Sequence, residues 1–449
     1  MRGALSACGL SQIAACTQLE ELGVVISPEV PTSIEVSFDA PGDGPAWVRV
    51  EGERGESRTI AATVSDGRAH ATVVGLRGGS RVRLVGVVDG SDTHDAKLKT
   101  DEPPDGLRFD LLEADLSAAM TDGYVFMAVS SDAWSGVVAV DGEGEPVWWS
   151  PAPSGWQAAS PRVTRDGLGL LYLLNDVGRT EEQQRLVRVE LDGSRRQEWP
   201  VLRGHHMVEE LPDGEFAWLS WDIRKISWRH PPDEDPVLSD RVLVGDGDST
   251  PREIVSLFDD LGPAYLQCAH AWQGDHRLGR TVYEWTHADG LVYIPERNSF
   301  VVMARFIDAL VEIDSDTGEV LWQVGGRHPT MRFSDPAAAF SHAHMSDAWA
   351  TGVLVFDNGG HKGAPARVVE YAFDAEGRSF EAVWAYTSPT GERIGFLGDA
   401  RRLPNDDRLV AWSTDGRIDE ISPESRRVWS VRVGPDDVVA GRIWFADAL

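Results

Sequence analysis

The sequence predicts an all-β protein, a six-bladed β-propeller preceded by a small β-sandwich. Short runs of Val, Ile and Phe with period-2 alternation, broken by Asp/Gly turns, recur along the 449 residues and are typical of antiparallel strands. A hairpin whose second strand carries a tryptophan also recurs. A repeated unit cannot bury its apolar face alone, so the repetition indicates an array of packed sheets.

The composition excludes several classes of partner. The chain has 42 Lys and Arg against 72 Asp and Glu, a net charge of −30. Phosphate binding needs clustered basic residues, so no nucleic acid partner and no anionic membrane surface is expected. No stretch of 18 apolar residues occurs, and no membrane-spanning helix is predicted. Cys8 and Cys16 lie in the first 16 residues, so Cys268 is the one cysteine in the rest of the sequence. That part can therefore form neither an internal disulfide nor a cysteine-based zinc site.

Residues 1–23 are interpreted as a leader or lipoprotein-type signal. One positive charge, a weakly apolar stretch and small residues precede Cys16, and Ile13-Ala14-Ala15-Cys16 resembles a bacterial lipoprotein cleavage box. An ordinary disordered N-terminus is the alternative. The prediction is export to the periplasm or cell surface, with a lipid on Cys16 as the one membrane anchor.

Residues 24–103 are predicted to form the β-sandwich. Strand-like runs alternate with turns, as such a domain requires. These runs are Ser33–Phe38, Trp47–Val50, Thr59–Val64, His70–Val74 and Arg81–Val88. The segment Val74-Gly75-Leu76, followed by Gly78-Gly79, resembles an Ig-like or fibronectin type III module. No residue here suggests chemistry, and the polar segment 100–106 is predicted to be a linker.

Residues 107–449 contain the repeats that predict the propeller. The tryptophans of the recurring hairpin are Trp149, Trp199, Trp322, Trp384 and Trp429. The step of 123 residues from Trp199 to Trp322 is close to two units, so one unit without the tryptophan lies between them, with strands near 214–222 and 253–259. The tryptophans are predicted to pack between blades.

A second strand–turn–strand precedes each hairpin, with a turn at Pro-Asp-Gly or Pro-Asn-Asp. Two hairpins make a four-stranded sheet, and six such sheets make a β-propeller. A terminal strand usually completes one blade and closes the ring. The segment Gly441–Phe445 is the predicted closing strand.

Histidines at the heads of three blades are the candidate site. Residues just before an innermost strand converge on one mouth of the central channel, and His206, His287 and His344 occupy such positions. The last blade has Gly398 there instead. Packing roles tend to repeat with the blade, so this asymmetry favours a functional role.

Arg305 follows the strand Phe300–Met303 in the same blade as His287, and its guanidinium is suited to an oxyanion. Three imidazoles and an arginine around one anion supply a nucleophile and an electrostatic clamp. A histidine is neutral enough near pH 7 to attack, and it can leave again. His205 and His342 adjoin the chosen residues and are alternatives, and His270 is undecided.

Other chemistries have less support. The remaining histidines are assigned no role: His70, His94, His230, His276, His328 and His361. Three histidines can bind zinc or copper, but only His342-Ala343-His344 offers a His-x-His pair, so no metal and no cofactor are predicted. The sequence has no Gly-rich phosphate loop and no nucleophile elbow.

At these residues the sequence resembles the bacterial aryl-sulfate sulfotransferase family. The matching pieces, in family order, are Trp285-Thr286-His287, the Arg305 strand, Asp316–Trp322, Gly325-Gly326, Phe340-Ser341-x-x-His344, Phe356–Gly359, Glu370-Tyr371 and Leu403-Pro404-Asn405. They cover most of the propeller. Members of the family also carry a small N-terminal β-sandwich.

The resemblance implies transfer of a sulfuryl group from a phenolic sulfate ester to an acceptor phenol, without a nucleotide sulfate donor. It assigns His344 as the nucleophile that becomes a sulfohistidine. His206, His287 and Arg305 would bind the sulfate oxygens. The partners implied are therefore small molecules, and the route has two steps.

The sequence departs from the family pattern beside two site residues. Ala343 and Met345-Ser346 flank His344 where the family commonly has Gln and Asp-Ala. Asp289 stands where Asn is usual, and a carboxylate near a sulfate weakens its binding unless it points away. Family enzymes also carry a disulfide, which this chain cannot form.

Two other functions remain as alternatives. One is a non-catalytic propeller that binds a ligand or a protein at the same channel mouth. The other is a sulfate-ester hydrolase that uses water as the acceptor. Convergence of His206, His287, His344 and Arg305 within a few ångströms would favour catalysis over simple binding.

Overall fold

The structure is a computed structural model that describes residues 22–42, 44–115, 117–120, 123–176, 183–227, 234–263, 268, 275–277, 280–374, 376–391, 393–434 and 439–449. The predicted leader, with Cys16 and its cleavage box, lies almost entirely outside these residues. The chain divides into two compact units, Met1–Asp101 and Glu102–Leu449. Among the described residues, no helix is long and apolar enough to cross a membrane.

The first unit consists of seven strands. They are β1 (Leu22–Ile26), β2 (Ile34–Asp39), β3 (Ala46–Gly52), β4 (Ser57–Ser65), β5 (Arg68–Val73), β6 (Arg81–Val88) and β7 (Ser91–Lys99). Alternating residues of these strands point inward, among them Phe38, Val48 and Leu84, which are fully buried in one core. The predicted all-β character is confirmed.

The predicted Ig-like sandwich is not confirmed, because the strands form one continuous sheet in the order β1-β2-β5-β4-β3-β6-β7. Strand β4 joins what would otherwise be two sheets. Its first part pairs with β3, up to Ala46 opposite Ala62, and its last three residues pair with β5. The two edge strands also approach each other, so the sheet curves almost into a barrel.

The second unit contains six sheets with four antiparallel strands each, counted over the described residues, and the six-bladed propeller is confirmed. The blades are β9–β11 (Tyr124–Ser130, Ser135–Val140, Pro146–Pro151) with β35 (Val439–Ala446); β12–β15 (Trp156–Val163, Gly169–Asp176, Gln183–Glu190, Arg196–Leu202); β16–β19 (Gly204–Glu210, Phe216–Ile226, Asp235–Gly245, Arg252–Ser256); β22–β25 (Ala288–Ile294, Ser299–Ala304, Ala309–Asp314, Val320–Gly325); β27–β30 (His344–Trp349, Gly352–Asp357, Arg367–Asp374, Ser379–Thr387); and β31–β34 (Asp399–Arg402, Arg408–Ala411, Arg417–Ile421, Arg427–Gly434).

Shorter elements extend three of the blades. Strand β8 (Arg108–Ala114) pairs with β34, β20 (Asp275–Arg277) and β21 (Arg280–Glu284) extend the third blade, and β26 (Arg332–Phe333) pairs with β30. A short helix, Leu257–Leu261, follows β19. One 3-10 turn, Arg305–Ile307, follows β23 at the head of the fourth blade and positions Arg305.

The ring is closed by the C-terminal strand. The innermost strands β35, β12, β16, β22, β27 and β31 contact one another in that order and back to β35. Strand β35 pairs antiparallel with β9, from Val439 opposite Ser130 to Ala446 opposite Tyr124. The predicted closing strand is therefore confirmed, and residues from both ends of the propeller sequence share its first blade.

The repeated tryptophans lie on the outermost strands and reach the next blade. Trp322 on β25 packs against Phe373 and Phe380, with ring centroids 5.5 and 5.1 Å away. Trp199 on β15 packs against Phe216 at 5.5 Å. The indole N–H groups of Trp384 and Trp429 donate to carbonyl oxygens of Pro423 and Gly142 in the following blades. The blade without the tryptophan is the third, as predicted.

Bulges near the heads of the inner strands shape the channel. The pairing of β16 shifts between His205 and Val208, and that of β22 shifts between Ala288 and Gly290. A bulge bends the strand and redirects a side chain, which here brings His206 and Asp289 toward the channel mouth.

Candidate functional site

The predicted site residues converge at one mouth of the channel. The rings of His206 on β16 and His287, just before β22, have centroids 5.1 Å apart. The other two predicted residues, His344 and Arg305, lie on either side of Asp289. Its Oδ2 is 3.0 Å from His344 Nε2 and 3.8 Å from Arg305 Nε. Residues from three blades thus surround one small volume, as the sequence predicts.

The backbone at the blade heads is unusual. His206 and His287 have φ values of 55° and 46°, in the left-handed region that non-glycine residues rarely adopt. A buried carboxylate supports this conformation: Asp240 Oδ2 accepts hydrogen bonds from Thr286 Oγ1 at 2.7 Å and Ala288 N at 2.5 Å. The Trp285-Thr286-His287 motif therefore fixes the start of β22 and the direction of His287.

Asn358 determines the tautomer of His344. The Nδ2 of Asn358 donates to the carbonyl oxygens of Ile394 at 2.8 Å and Leu397 at 3.0 Å. Its Oδ1 must then be the atom that accepts from His344 Nδ1, at 2.7 Å. A neutral His344 consequently carries its proton on Nδ1, which leaves the Nε2 lone pair facing the site.

Burial keeps His344 neutral. It lowers the pKa of His344 to about 4, although the Asp289 carboxylate acts in the opposite direction. Burial, followed by repulsion from His205 and His287, also lowers the pKa of His206 well below its ordinary value. Two of the three imidazoles are therefore neutral near pH 7.

His287 is the exception among the three. Burial lowers its pKa, but the Glu284 carboxylate, whose Oε2 lies 3.0 Å from Nδ1, outweighs this and raises the pKa of His287 above its ordinary value. Its ring stacks on Phe306 with centroids 4.5 Å apart. His287 is thus the imidazole best able to carry positive charge toward an anion.

Two arginines face the same volume. Arg305 is buried, and its guanidinium donates to the carbonyl oxygens of His342 and Gly395 at 3.3 and 2.9 Å. Arg442, on the closing strand, contacts Asp399 Oδ1 at 3.0 Å and donates to the carbonyl oxygen of Asp289. Both cations lie close enough to influence the charge of Asp289.

Asp289 is the feature that most distinguishes this site. It is fully buried, and its Oδ2 faces both His344 Nε2 and the Arg305 guanidinium. Burial raises the pKa of Asp289, but His344, Arg305 and Arg442 outweigh it, and the pKa is below its ordinary value. An ionised carboxylate therefore points into the site rather than away from it.

A cavity adjoins the site at His206 and Arg442. It has a volume of about 500 Å³ and is lined by His206, Arg442, Ser160, Trp221 and Leu397, among others. Trp221 and Leu397 give it an apolar wall, while His206 and Arg442 give it polar groups at the channel end. A cavity of this size lies in the range of small-molecule sites.

The alternatives named from the sequence have other surroundings. His205 stacks on Trp221, and its Nε2 lies 3.1 Å from Asp240 Oδ1. His342 lies beside Cys268 and His361, on the other side of Phe306 from His287. His230 and His270 lie outside the described residues.

Sequence reasoning missed Arg442 and Asn358. Arg442 is within the predicted closing strand, and an arginine in a strand that lines a channel is a usable signal. Asn358 belongs to the Phe356–Gly359 motif, but its role depends on contacts with the segment 394–397, which only the fold provides.

The fold and the site define a β-propeller with an imidazole- and arginine-lined anion site at one mouth of its channel. A family model described as Arylsulfotransferase (ASST) matches residues 113–414. The chain belongs to the arylsulfotransferase family, which supports sulfotransferase activity at the level of the family.

The solved structures that match the chain have low sequence identity and low TM-scores. A protein of unknown function from Bacteroides caccae is 11% identical, covers 78% of this chain and 96% of its own, and has a TM-score of 0.40. A catalytically inactive virginiamycin B lyase from Staphylococcus aureus is 10% identical, covers 76% and 96%, and has a TM-score of 0.37. These similarities do not bear on function. A search of curated proteins found no match.

Proposed function

We propose that this protein transfers a sulfuryl group from a phenolic sulfate ester to an acceptor phenol, through a sulfohistidine at His344 and without a nucleotide donor. The observation that carries the proposal is the convergence of His206, His287, His344 and Arg305, of which His206 also lines the cavity. Membership of the arylsulfotransferase family supports the same reaction class.

The proposed reaction has two steps. His344 Nε2 attacks the sulfur, the Nε2–S bond forms, and the S–O bond to the first phenol breaks with release of the phenolate. An acceptor phenolate then attacks the sulfur, and the Nε2–S bond breaks. Asn358 holds the Nδ1 proton, so the attacking nitrogen keeps its lone pair.

The surrounding groups stabilise charge on the sulfate oxygens. His287, with its raised pKa, and Arg305 supply positive charge, and His206 and Arg442 line the adjoining cavity. Such groups act most strongly where water is excluded, and both His344 and Arg305 are buried. The apolar wall formed by Trp221 and Leu397 would accept the aromatic ring.

Asp289 opposes donor binding in this proposal. Its Oδ2 lies 3.0 Å from the attacking nitrogen, within the space that the sulfate has to enter. The side chain must therefore turn away when the donor binds, and the remaining charge repels the sulfate. We expect a high KM for the donor as a result.

The test measures release of nitrophenol from 4-nitrophenyl sulfate, with and without phenol, in the wild type, in His344→Ala and in the control His70→Ala. His70 lies on β5 in the first unit, outside the propeller. Acceptor-dependent release that is lost only in His344→Ala supports the proposal. Release independent of phenol indicates hydrolysis, and no release with any phenol sulfate favours a binding role.

A further inference from the structure

A second cluster of chemically active side chains lies behind the channel site. Cys268, His342 and His361 each offer one ligand atom, and these atoms lie within 4.8 Å of one another. They come from three separate parts of the chain. The proposed sulfuryl transfer uses none of them.

The spacing of the cluster fits a tetrahedral zinc site. Cys268 Sγ lies 3.5 Å from His342 Nε2. Zn–S and Zn–N bonds of about 2.3 and 2.0–2.1 Å at a tetrahedral angle place sulfur and nitrogen about 3.5 Å apart. This thiol–imidazole contact, a hydrogen bond without a metal, therefore has the length that two ligands of a shared zinc ion would have.

Asp308 holds the His361 ring in an orientation suited to metal binding. The Nδ1 of His361 lies 2.9 Å from Asp308 Oδ2, and Asp308 Oδ1 accepts from the backbone N of His342 at 2.6 Å. The other ring nitrogen, Nε2, is buried, and the Cys268 thiol is the imidazole's second partner. A carboxylate that holds one nitrogen while the other faces a metal is a recurrent arrangement at zinc sites.

The second histidine argues against a catalytic thiol. A Cys–His–Asp nucleophile needs one imidazole beside the sulfur, whereas here two imidazoles approach it. Cys268 is also buried, which does not suit attack on a substrate. The His361 side chain is 18% exposed, so the cluster lies close to solvent, from which a cation and a fourth ligand such as water would come.

We propose that Cys268, His342 and His361 bind a zinc ion, with Asp308 as the positioning residue of His361. The ion would fix His342, whose carbonyl oxygen accepts from Arg305 Nε and whose ring stacks on Phe306 at 5.3 Å. The metal thus supports the wall of the channel site without contacting the substrate. This differs from the sequence-based expectation of no metal, because the three ligands meet only in the fold.

The experiment uses Co²⁺ as a spectroscopic probe on the full chain carrying Cys8→Ser and Cys16→Ser, which leaves Cys268 as its single thiol. One equivalent of Co²⁺ should produce a thiolate-to-cobalt charge-transfer band, and Zn²⁺ should abolish it by displacement. Cys268→Ser should eliminate the band, and Asp308→Asn should weaken Co²⁺ binding by roughly 10–100-fold. The matched control His328→Ala, at an exposed histidine of the same unit, should bind normally.

His361→Ala is the second ligand variant, chosen because the His361 side chain is partly exposed and its removal should leave the fold intact. A thermal melt checks that this variant folds. A folded His361→Ala protein with unchanged Co²⁺ affinity would overturn the proposal. So would the absence of a charge-transfer band, or rapid alkylation of Cys268 by iodoacetamide that Zn²⁺ does not slow. Because every readout is metal binding, the result is independent of sulfuryl transfer.

Discussion

Replacing Asp289 by Asn tests the electrostatics of the site most directly. Asn has the same size, removes the negative charge and adds two donors that can face sulfate oxygens. Because Asp289 raises the pKa of His344, its removal leaves His344 neutral and able to attack. The substitution therefore alters donor binding while the nucleophile is preserved.

The expected gain follows from Coulomb's law. A reacting sulfur lies about 3–3.5 Å from its nucleophile, and a carboxylate that has turned away from Nε2 would be about 5 Å from the sulfate. At an effective dielectric constant of about 20, two unit charges at that distance repel by about 3 kcal/mol. This corresponds to roughly a 100-fold change in an equilibrium constant.

We expect Asp289→Asn to lower the KM for 4-nitrophenyl sulfate and to raise kcat/KM by up to about 100-fold. The matched control is Asp347→Asn, a partly exposed carboxylate on β27 whose Oδ1 lies 3.9 Å from Arg401. It should leave donor KM unchanged, and thermal melts establish that both variants fold. A fall in kcat/KM for Asp289→Asn would refute the reasoning and indicate that the carboxylate takes part in proton transfer.

Three further predictions concern other parts of the molecule. Glu284→Gln removes the carboxylate that raises the pKa of His287. The alkaline limb of the pH profile of kcat/KM, where His287 loses its proton, should therefore move to lower pH. An unmoved limb would show that His287 acts as a neutral donor. Trp322→Ala should lower the free energy of unfolding in urea by about 3–5 kcal/mol, whereas Leu168→Ala, at a side chain that is 65% exposed, should change it little; a similar loss in both would contradict packing between blades. Cys16→Ser should shift the protein from the membrane fraction to the soluble fraction if Cys16 carries a lipid, and an unchanged distribution would exclude that anchor.

Sequence reasoning predicted the propeller because its strands are encoded locally. Alternation and turns specify each hairpin, and Trp322 or Trp429 mark the strands that face the next blade. His206, His287 and His344 could be found for the same reason, since equivalent positions in repeated blades meet at one channel mouth. Arg305 was predicted because it follows the second strand of its blade.

The first unit shows where local patterns are insufficient. Its strands were predicted, but the same alternation suits two packed sheets and one strongly curved sheet. The choice depends on β4, which pairs with both β3 and β5. Pairing between strands is a long-range property that the pattern of a single strand does not contain.

The sequence by itself determined the repeated blades, the closing strand and the three histidines at the channel mouth, because these follow from periodicity and repetition. The tertiary structure alone decided that Asp289 points toward His344, that Arg442 joins the site through ring closure, and that Cys268, His342 and His361 meet. The physical reason is that a side chain's direction and charge environment depend on neighbours from distant segments. Those neighbours are assembled only when the blades close into a ring.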